Sequence, residues 1–280
     1  MEKMTEISKV CVVLTCYNRK EKTINCIQSL AASNDSILFT FVVADDGSND
    51  GTSAALNELG NTLDIHVLTG TGEWYYSRGM HAAMNYVINT MENTFDYVLM
   101  VNDDVTFFAN SIQKIIAQSR AQNGTVVVGA MQDGQGNSSY GAVKYTKGYH
   151  YRMMTISEYE NEADTFMANC VLVPYPYFLD VGPIDAHYVH SLGDFDYGLM
   201  LKQRKYSIRS SMEYVGVCER NKSTNTWVDK SLPFITRIKL KESPKGAPSR
   251  QWFYFLKKNF GFFHALKGVI TPFIRILIGQ

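Results

Sequence analysis

Short apolar runs alternate with stretches of helical period through the first half of this 280-residue chain, and no other feature restricts the fold as much. Residues 10–15, 39–44, 64–68, 97–101 and 125–130 are apolar, β-branched in large part, and short enough to be strands. Between them, Ile24, Ile27 and Leu30 share one helical face, and Met80, Ala83, Met84, Val87 and Ile88 share another at i, i+3, i+4, i+7 and i+8 spacing. Strand and helix in regular turn are the pattern of βα units feeding a parallel sheet. No period of about 20 to 50 residues repeats, which removes solenoids and propellers.

Beyond residue 133 the alternation stops. Residues 134–151 turn to Gly, Ser, Tyr and polar types, which predicts a hairpin or mobile loop. Residues 166–173 read as one further strand, and Leu192, Phe195, Leu199 and Met200 would line one side of a helix over 193–201.

In an open parallel sheet, ligands sit outside the carboxyl ends of the strands, so polar clusters just after strands are the informative ones. Three occur: Thr15-Cys16-Tyr17-Asn18-Arg19, then Asp45-Asp46-Gly47-Ser48-Asn49-Asp50-Gly51-Thr52, then Asn102-Asp103-Asp104. Asn18, Ser48 and Asp50 are also good turn and cap residues, so either of the first two clusters alone could be no more than a helix start. Adjacent carboxylates after a buried strand are harder to explain that way. Asp103 and Asp104 repel one another and lose hydration unless a cation or donor groups compensate, and hard divalent ions take carboxylate together with phosphate oxygens.

Two phosphate cradles are ruled out by spacing. Gly70-Thr71-Gly72 follows a strand, but the third glycine of GxGxxG would fall at Tyr75, and no GxxxxGK[ST] loop exists. A diphosphate would be met by metal and arginine, with Arg19 and Arg78 the candidates.

With these clusters in order, the chain resembles family 2 of the inverting nucleotide-sugar glycosyltransferases, over roughly residues 10–206. The first cluster resembles TxYNR, the second DDGSxDGT, and Asn102-Asp103-Asp104 stands in the place of the DxD-type metal motif. The resemblance implies a GT-A fold, a single Rossmann-like and mostly parallel sheet flanked by helices, over residues 1–240. Its nucleotide-sugar half would span about 1–133 and its acceptor half about 134–240, with a helical extension over 241–280. It implies a donor side made of Thr15, Tyr17, Arg19, Asp45, Asp46, Arg78 and Asp103, with Thr15, Tyr17 and Asp45 at the base and ribose and Arg78 at the diphosphate. Asp104 would ligate Mn2+ or Mg2+.

Gly193-Asp194-Phe195-Asp196 occupies the place of the family's Glu-Asp motif, which makes Asp194 the expected base, with Asp196 the competing choice. The chain departs from the family at several points: Gly193 replaces the Glu, Gly79 replaces an Asn after Arg78, and Val215 to Glu219 contain no histidine. His187 and His190 read as loop or core-edge residues. Trp74-Tyr75-Tyr76 resembles the rhamnosyltransferase-like branch. The activity implied is transfer of a sugar from a UDP- or dTDP-sugar to a hydroxyl of a glycan or lipid-linked acceptor, in a bacterial polysaccharide pathway. The alternatives are a non-catalytic nucleotide-sugar or glycan-binding module, against which Asp194 argues, and a sugar nucleotidyltransferase, for which the glycine-rich basic loop is missing.

Composition limits the setting. Lys plus Arg and Asp plus Glu stand at 27 each, so no basic field draws the chain to nucleic acid. The five cysteines are scattered and form no CxxC pair, which predicts reduced, buried thiols. Met1 to Lys9 lack the apolar stretch of a leader, and no run reaches about 18 apolar residues, so a cytoplasmic protein is expected. Residues 250–278 combine aromatic and aliphatic residues with Lys257, Lys258, Lys267 and Arg275. They predict a helix pair broken near Gly261 and Pro272, either lying peripherally on a membrane surface or packed on the domain.

Overall fold

The computed structural model describes residues 7–32, 36–92, 94–221 and 224–279; most of the N-terminal stretch read above lies outside these. The first half runs β1 (Ser8–Cys16), α1 (Lys20–Ala32), β2 (Ile37–Asp45), α2 (Thr52–Leu59), β3 (Asp64–Thr69), α3 (Tyr75–Asn89), β4 (Tyr97–Asn102), β5 (Thr106–Phe107), α4 (Ser111–Ala121) and β6 (Val126–Gln132). The second half runs β7 (Ser138–Tyr140), β8 (Ala142–Lys147), β9 (His150–Met153), β10 (Thr165–Phe166), β11 (Cys170–Pro174), α5 (Tyr175–Val181), α6 (Gly193–Gln203), β12 (Ile208–Val217), α7 (Phe234–Glu242), α8 (Ser249–Phe260) and α9 (Phe262–Leu277).

The main sheet has nine strands in the order β3-β2-β1-β4-β11-β6-β12-β5, with β7 paired to β6. Its strands β3, β2, β1 and β4 are parallel, as the βα alternation predicts. Both faces of this half are covered, which is why β1 is a nearly unbroken apolar run rather than an alternating one. Cys11 and Val13 pack on the side of α3, against Met80, Ala83, Met84 and Val87. Val10, Val12 and Leu14 pack on the other side with Cys26, Ile27 and Leu30 of α1 and Leu56 of α2. Each such side chain contributes roughly 1.5–3 kcal/mol on full burial.

The strand expected over 166–173 is divided between two sheets. Thr165 and Phe166 join β8 in a small antiparallel sheet with β9, whereas Cys170–Pro174 enters the main sheet antiparallel to both β4 and β6. Met167, Ala168 and Asn169 make the passage between them, with the Asn169 amide donating to the Met167 carbonyl at 2.9 Å. An apolar run does not reveal that its middle residues turn, because Met and Ala suit a passage as well as a strand. The hairpin alternative for 134–151 is the one the structure shows, as β8 and β9.

The C-terminal helices are present as a pair joined at Gly261, but the break expected at Pro272 does not occur, since that residue lies inside α9. Their inner faces pack on the domain: Phe255 and Leu256 of α8 and Ala265 of α9 form a cluster with Tyr188, Leu192, Phe195 and Leu199. A polar clasp adds to it. Lys258 Nζ sits 2.6 Å from Asp196 Oδ2, and Asn259 Nδ2 donates to Asp196 Oδ1 at 2.8 Å. Asp196 is fully buried, so its charge is tolerable only because α8 supplies these partners. No helix among the described residues is long and apolar enough to cross a membrane.

Lys258→Met leaves Asp196 buried without its cation. Urea unfolding is expected to show a loss of about 2–4 kcal/mol, somewhat under the usual cost of a broken buried pair because Lys258 is partly in solvent. Adding Asp196→Asn to that variant is expected to recover part of the loss.

Candidate active site

The ends of β1, β2 and β4 lie side by side, since β1 pairs with β2 through Cys16 and Asp45 and with β4 through Thr15 and Asn102. The turns that follow are knitted together. The Asn18 amide donates to Ser48 Oγ at 2.8 Å, the Asn49 amide to Asn18 Oδ1 at 2.8 Å, and the Lys20 amide to Asp50 Oδ2 at 2.9 Å. Asn18, Ser48 and Asp50 are thus turn-forming residues. They hold the two loops in register beneath the groups that face outward.

Arg19 projects from this turn and forks across the acidic pair. Its Nη1 lies 2.7 Å from Asp103 Oδ1 and its Nη2 lies 2.6 Å from Asp104 Oδ2. The compensation that two adjacent carboxylates require therefore comes from within the chain. Burial pushes Asp103 up to about 6, with Arg19 acting to lower it and Asp104 to raise it. Asp104 is the more accessible of the two.

Asp46 has a different task from its neighbours. Its carboxylate accepts from the backbone amides of Gly72, Trp74 and Tyr75, each at 2.9 Å. A Cβ at Gly70 would meet Asp46 Oδ1 at 2.6 Å, so only glycine lets the loop close over the carboxylate. The Gly70-Thr71-Gly72 segment that fails as a dinucleotide fingerprint is the seat of Asp46. That seat sets the start of α3, and with it Tyr75 and Tyr76.

Asp194 lies in the first turn of α6. Its carboxylate accepts from the Phe195 amide at 2.9 Å and the Ala168 amide at 3.3 Å, the latter from the passage between the two sheets. Burial pushes it up to about 6, opposed by these amides. Its charge is felt by Tyr76, Tyr145 and Tyr151, whose hydroxyls are raised first by burial, with Asp194 contributing. All three stay protonated at neutral pH and can donate.

One cleft of about 940 Å3 gathers these groups: Thr15, Tyr17, Arg19, Asp46, Asp103, Asp104 and Asp194 all line it. Its remaining wall is aromatic, including Tyr140, Tyr145, Tyr149, Tyr151, Phe195 and Trp252. Four polar atoms of its lining residues are buried with no hydrogen-bond partner among the described residues: Tyr76 Oη, Tyr145 Oη, Asn102 Oδ1 and His190 Nδ1. An unpaired buried polar atom costs about 1–3 kcal/mol, and four in one cleft mark a surface completed by a polar ligand.

Two of the expected donor-side residues lie elsewhere. Asp45 is buried beneath the cleft, accepting from the Ser48 amide at 3.0 Å and from Ser53 Oγ, and does not line it. Arg78 is exposed and outside the lining. The departures from the family pattern have a steric cause. A Cβ at Gly79 would meet Thr15 Oγ1 of β1 at 2.3 Å, and one at Gly193 would meet Ser77 Oγ of α3 at 2.6 Å, so neither Asn nor Glu has room there. Asp196 is turned away into the clasp with Lys258. His187 stacks on Tyr254 with centroids 3.9 Å apart, whereas His190 lines the cleft, its pKa lowered to about 4 by burial with Lys245 adding to the effect. His190, read in the sequence as a loop or core-edge residue, thus joins the lining with Asn102 of the third polar cluster, and the tyrosine wall had as its only signal the density of tyrosines from Tyr140 to Tyr151.

The family model described as glycosyl transferase family 2 matches residues 11–172, more than half of the chain. The chain belongs to this family. Solved structures share the GT-A fold of this glycosyltransferase at low identity. A mannosyltransferase of Pyrobaculum calidifontis, solved with GDP-Man and Mn2+, superposes with TM-score 0.60 at 12% identity, covering 97% of this chain and 74% of that one. S. aureus TarS 1-349 with UDP-GlcNAc gives TM-score 0.56 at 15% identity, covering 96% and 81%. GalNAc-T7 with UDP, GalNAc and Mn2+ gives 0.60 at 12%, covering 77% of this chain and 44% of that one. No curated protein sequence matches the chain.

Because Arg19 holds Asp103 down, Arg19→Met is expected to move the Asp103 titration above about 6. Carbon-13 NMR of the aspartate carboxyls reads that shift directly, and an unmoved midpoint would deny the coupling.

Proposed function

We propose that this glycosyltransferase moves a sugar from a UDP- or dTDP-sugar to a hydroxyl of a glycan or lipid-linked acceptor, with inversion and with the help of a divalent metal. The observation that carries this reading is the cleft itself. It joins an acidic pair, suited to a divalent ion that would carry a diphosphate, with an arginine beside it, with a separate half-buried carboxylate, suited to a base, and with unpaired hydroxyls suited to a sugar.

Asp194 takes the proton from the acceptor hydroxyl as that oxygen attacks the anomeric carbon from the face opposite the nucleotide. The bond to the acceptor forms as the bond to the diphosphate breaks, and a single displacement inverts the centre. Asp194 suits the role because its pKa of about 6 leaves it ionised at neutral pH yet basic enough to accept a proton. Asp196 does not compete, since α8 holds its oxygens. Tyr76 and Tyr145 supply donors to sugar oxygens near the base.

On the donor side, Thr15 and Tyr17 line the nucleotide end, and Arg19 and Asp103 face the diphosphate sugar. Among the described residues no three His, Cys, Asp or Glu side chains form a cage for a cation. Asp104 and the orphan Asn102 Oδ1 are instead hard oxygen donors of the kind Mn2+ or Mg2+ takes, and they would hold such an ion together with the donor's phosphate. When bound it neutralises charge on the departing diphosphate. Asp45 supports the turn beneath the cleft through the Ser48 amide, and Arg78 lies outside the lining.

Asp104→Ala is expected to abolish the metal dependence of UDP or dTDP binding. Calorimetry with and without a chelator tests this, and equal affinities in the parent chain would remove the metal.

For Asp194→Asn, nucleotide binding is expected to persist while transfer falls by roughly 100-fold or more. In the parent chain kcat/KM is expected to rise with pH through about 6, as Asp194 ionises, and to level above it. Near-normal turnover of the variant would displace Asp194 as base. Nucleotide-sugar hydrolysis and transfer, measured with and without acceptor, separate an enzyme from a binding module.

A further inference from the structure

We infer that the outward face of α9 docks on an anionic lipid surface. This goes beyond the transfer reaction and does not require it. A helix packed against a domain ordinarily buries its apolar stripe and shows water its polar one. In α9 both sides are apolar. Ala265, Gly268 and Ile276 face the domain, whereas Phe263 is 84% exposed, Leu277 70%, Phe262 54% and Ile274 50%, with Leu266 and Ile270 exposed beside them. At about 100° per residue these six side chains fall within one sector roughly 120° wide. Grouped exposed apolar side chains of this kind mark an interaction surface, unlike single ones.

Charge decides the occupant. Between Ser249 and Gly279 the chain carries Arg250, Lys257, Lys258, Lys267 and Arg275 and no Asp or Glu, although the chain as a whole is balanced. Lys258 serves the clasp with Asp196, and the other four are exposed. Lys267 borders the apolar sector at its edge, by the same helical geometry, and the exposed Arg275 lies further round the helix. An apolar face on a segment that carries cations and no acid matches acyl chains beneath anionic headgroups. A second copy of the chain would offer no acid on this face to meet those cations.

The position of the face follows from the fold. Trp252 and Phe255 of α8 line the cleft, and Trp252 Nε1 donates to the Gly268 carbonyl of α9 at 3.0 Å. The docking face is therefore about one helix diameter, roughly 10 Å, from the cleft wall. A membrane met by α9 would lie beside the aromatic side of the cleft, where Asp194 is.

The test is flotation of the full chain with vesicles of phosphatidylcholine alone or with about one third phosphatidylglycerol, at low and high salt. The chain is expected to float with the anionic vesicles and less so as salt rises. The triple variant Phe263→Ser, Ile270→Ser, Ile274→Ser removes only exposed side chains and is expected to lower partitioning by about tenfold or more. Lys267→Gln with Arg275→Gln is expected to lose the preference for anionic vesicles. No flotation of the parent, or equal flotation of the triple variant, overturns the inference. A dimer of the parent that the triple variant loses would assign the face to a second copy and overturn it as well. Nucleotide binding measured on the triple variant reports its folding, and separates failure of this surface from failure of the proposed transfer.

Discussion

Two-sided burial of the parallel strands is the constraint from which the rest of this molecule follows. Side chains alternate from face to face along a strand, and both faces of β1, β2 and β4 are covered. Neither face can carry chemistry. Every polar function is pushed to the carboxyl ends of these strands, where β1, β2 and β4 end in register. The loops there must then serve two ends at once, satisfying their own backbone and presenting side chains outward. Asn18, Ser48 and Asp50 do the first, and Thr15, Tyr17 and Arg19 do the second.

This division explains which parts were legible in the sequence. The βα alternation and the places where polar clusters follow strands are local patterns, and the strand ends they predict match β1 to β4 and β6 within one or two residues. What local pattern cannot show is pairing across long separations. Arg19 meets Asp103 and Asp104 some 84 and 85 residues away, and Asp46 meets its three amides 26 to 29 residues on. The acidic pair was correctly read as needing compensation, but nothing in its spacing says that a guanidinium supplies it. The same holds for Asp196: motif position favoured Asp194 over it, but nothing in the sequence says that Lys258 and Asn259, 62 and 63 residues later, hold its oxygens.

The aromatic side of the cleft was the least legible. Tyr145 and Tyr151 come from the small sheet, Tyr76 from α3 and Trp252 from α8, so no single segment announces it. Their convergence depends on the split between β10 and β11, which an apolar run hides. The passage at Met167 to Asn169 also gives Asp194 one of its amides, from Ala168. A misread strand and an unseen half of the site thus have one physical origin.

The clasp between α8 and Asp196 bears on where a working unit of this family may be said to end. The family pattern stops at residue 172, and Asp194 lies beyond it on a helix whose seat depends on residues 258 and 259. A protein cut at the end of the shared pattern would lose Asp194 and Asp196 altogether, and one cut at the end of β12 would keep both but leave the buried Asp196 without Lys258 and Asn259. The tail is thereby a structural partner of α6, and so of Asp194, which that helix carries.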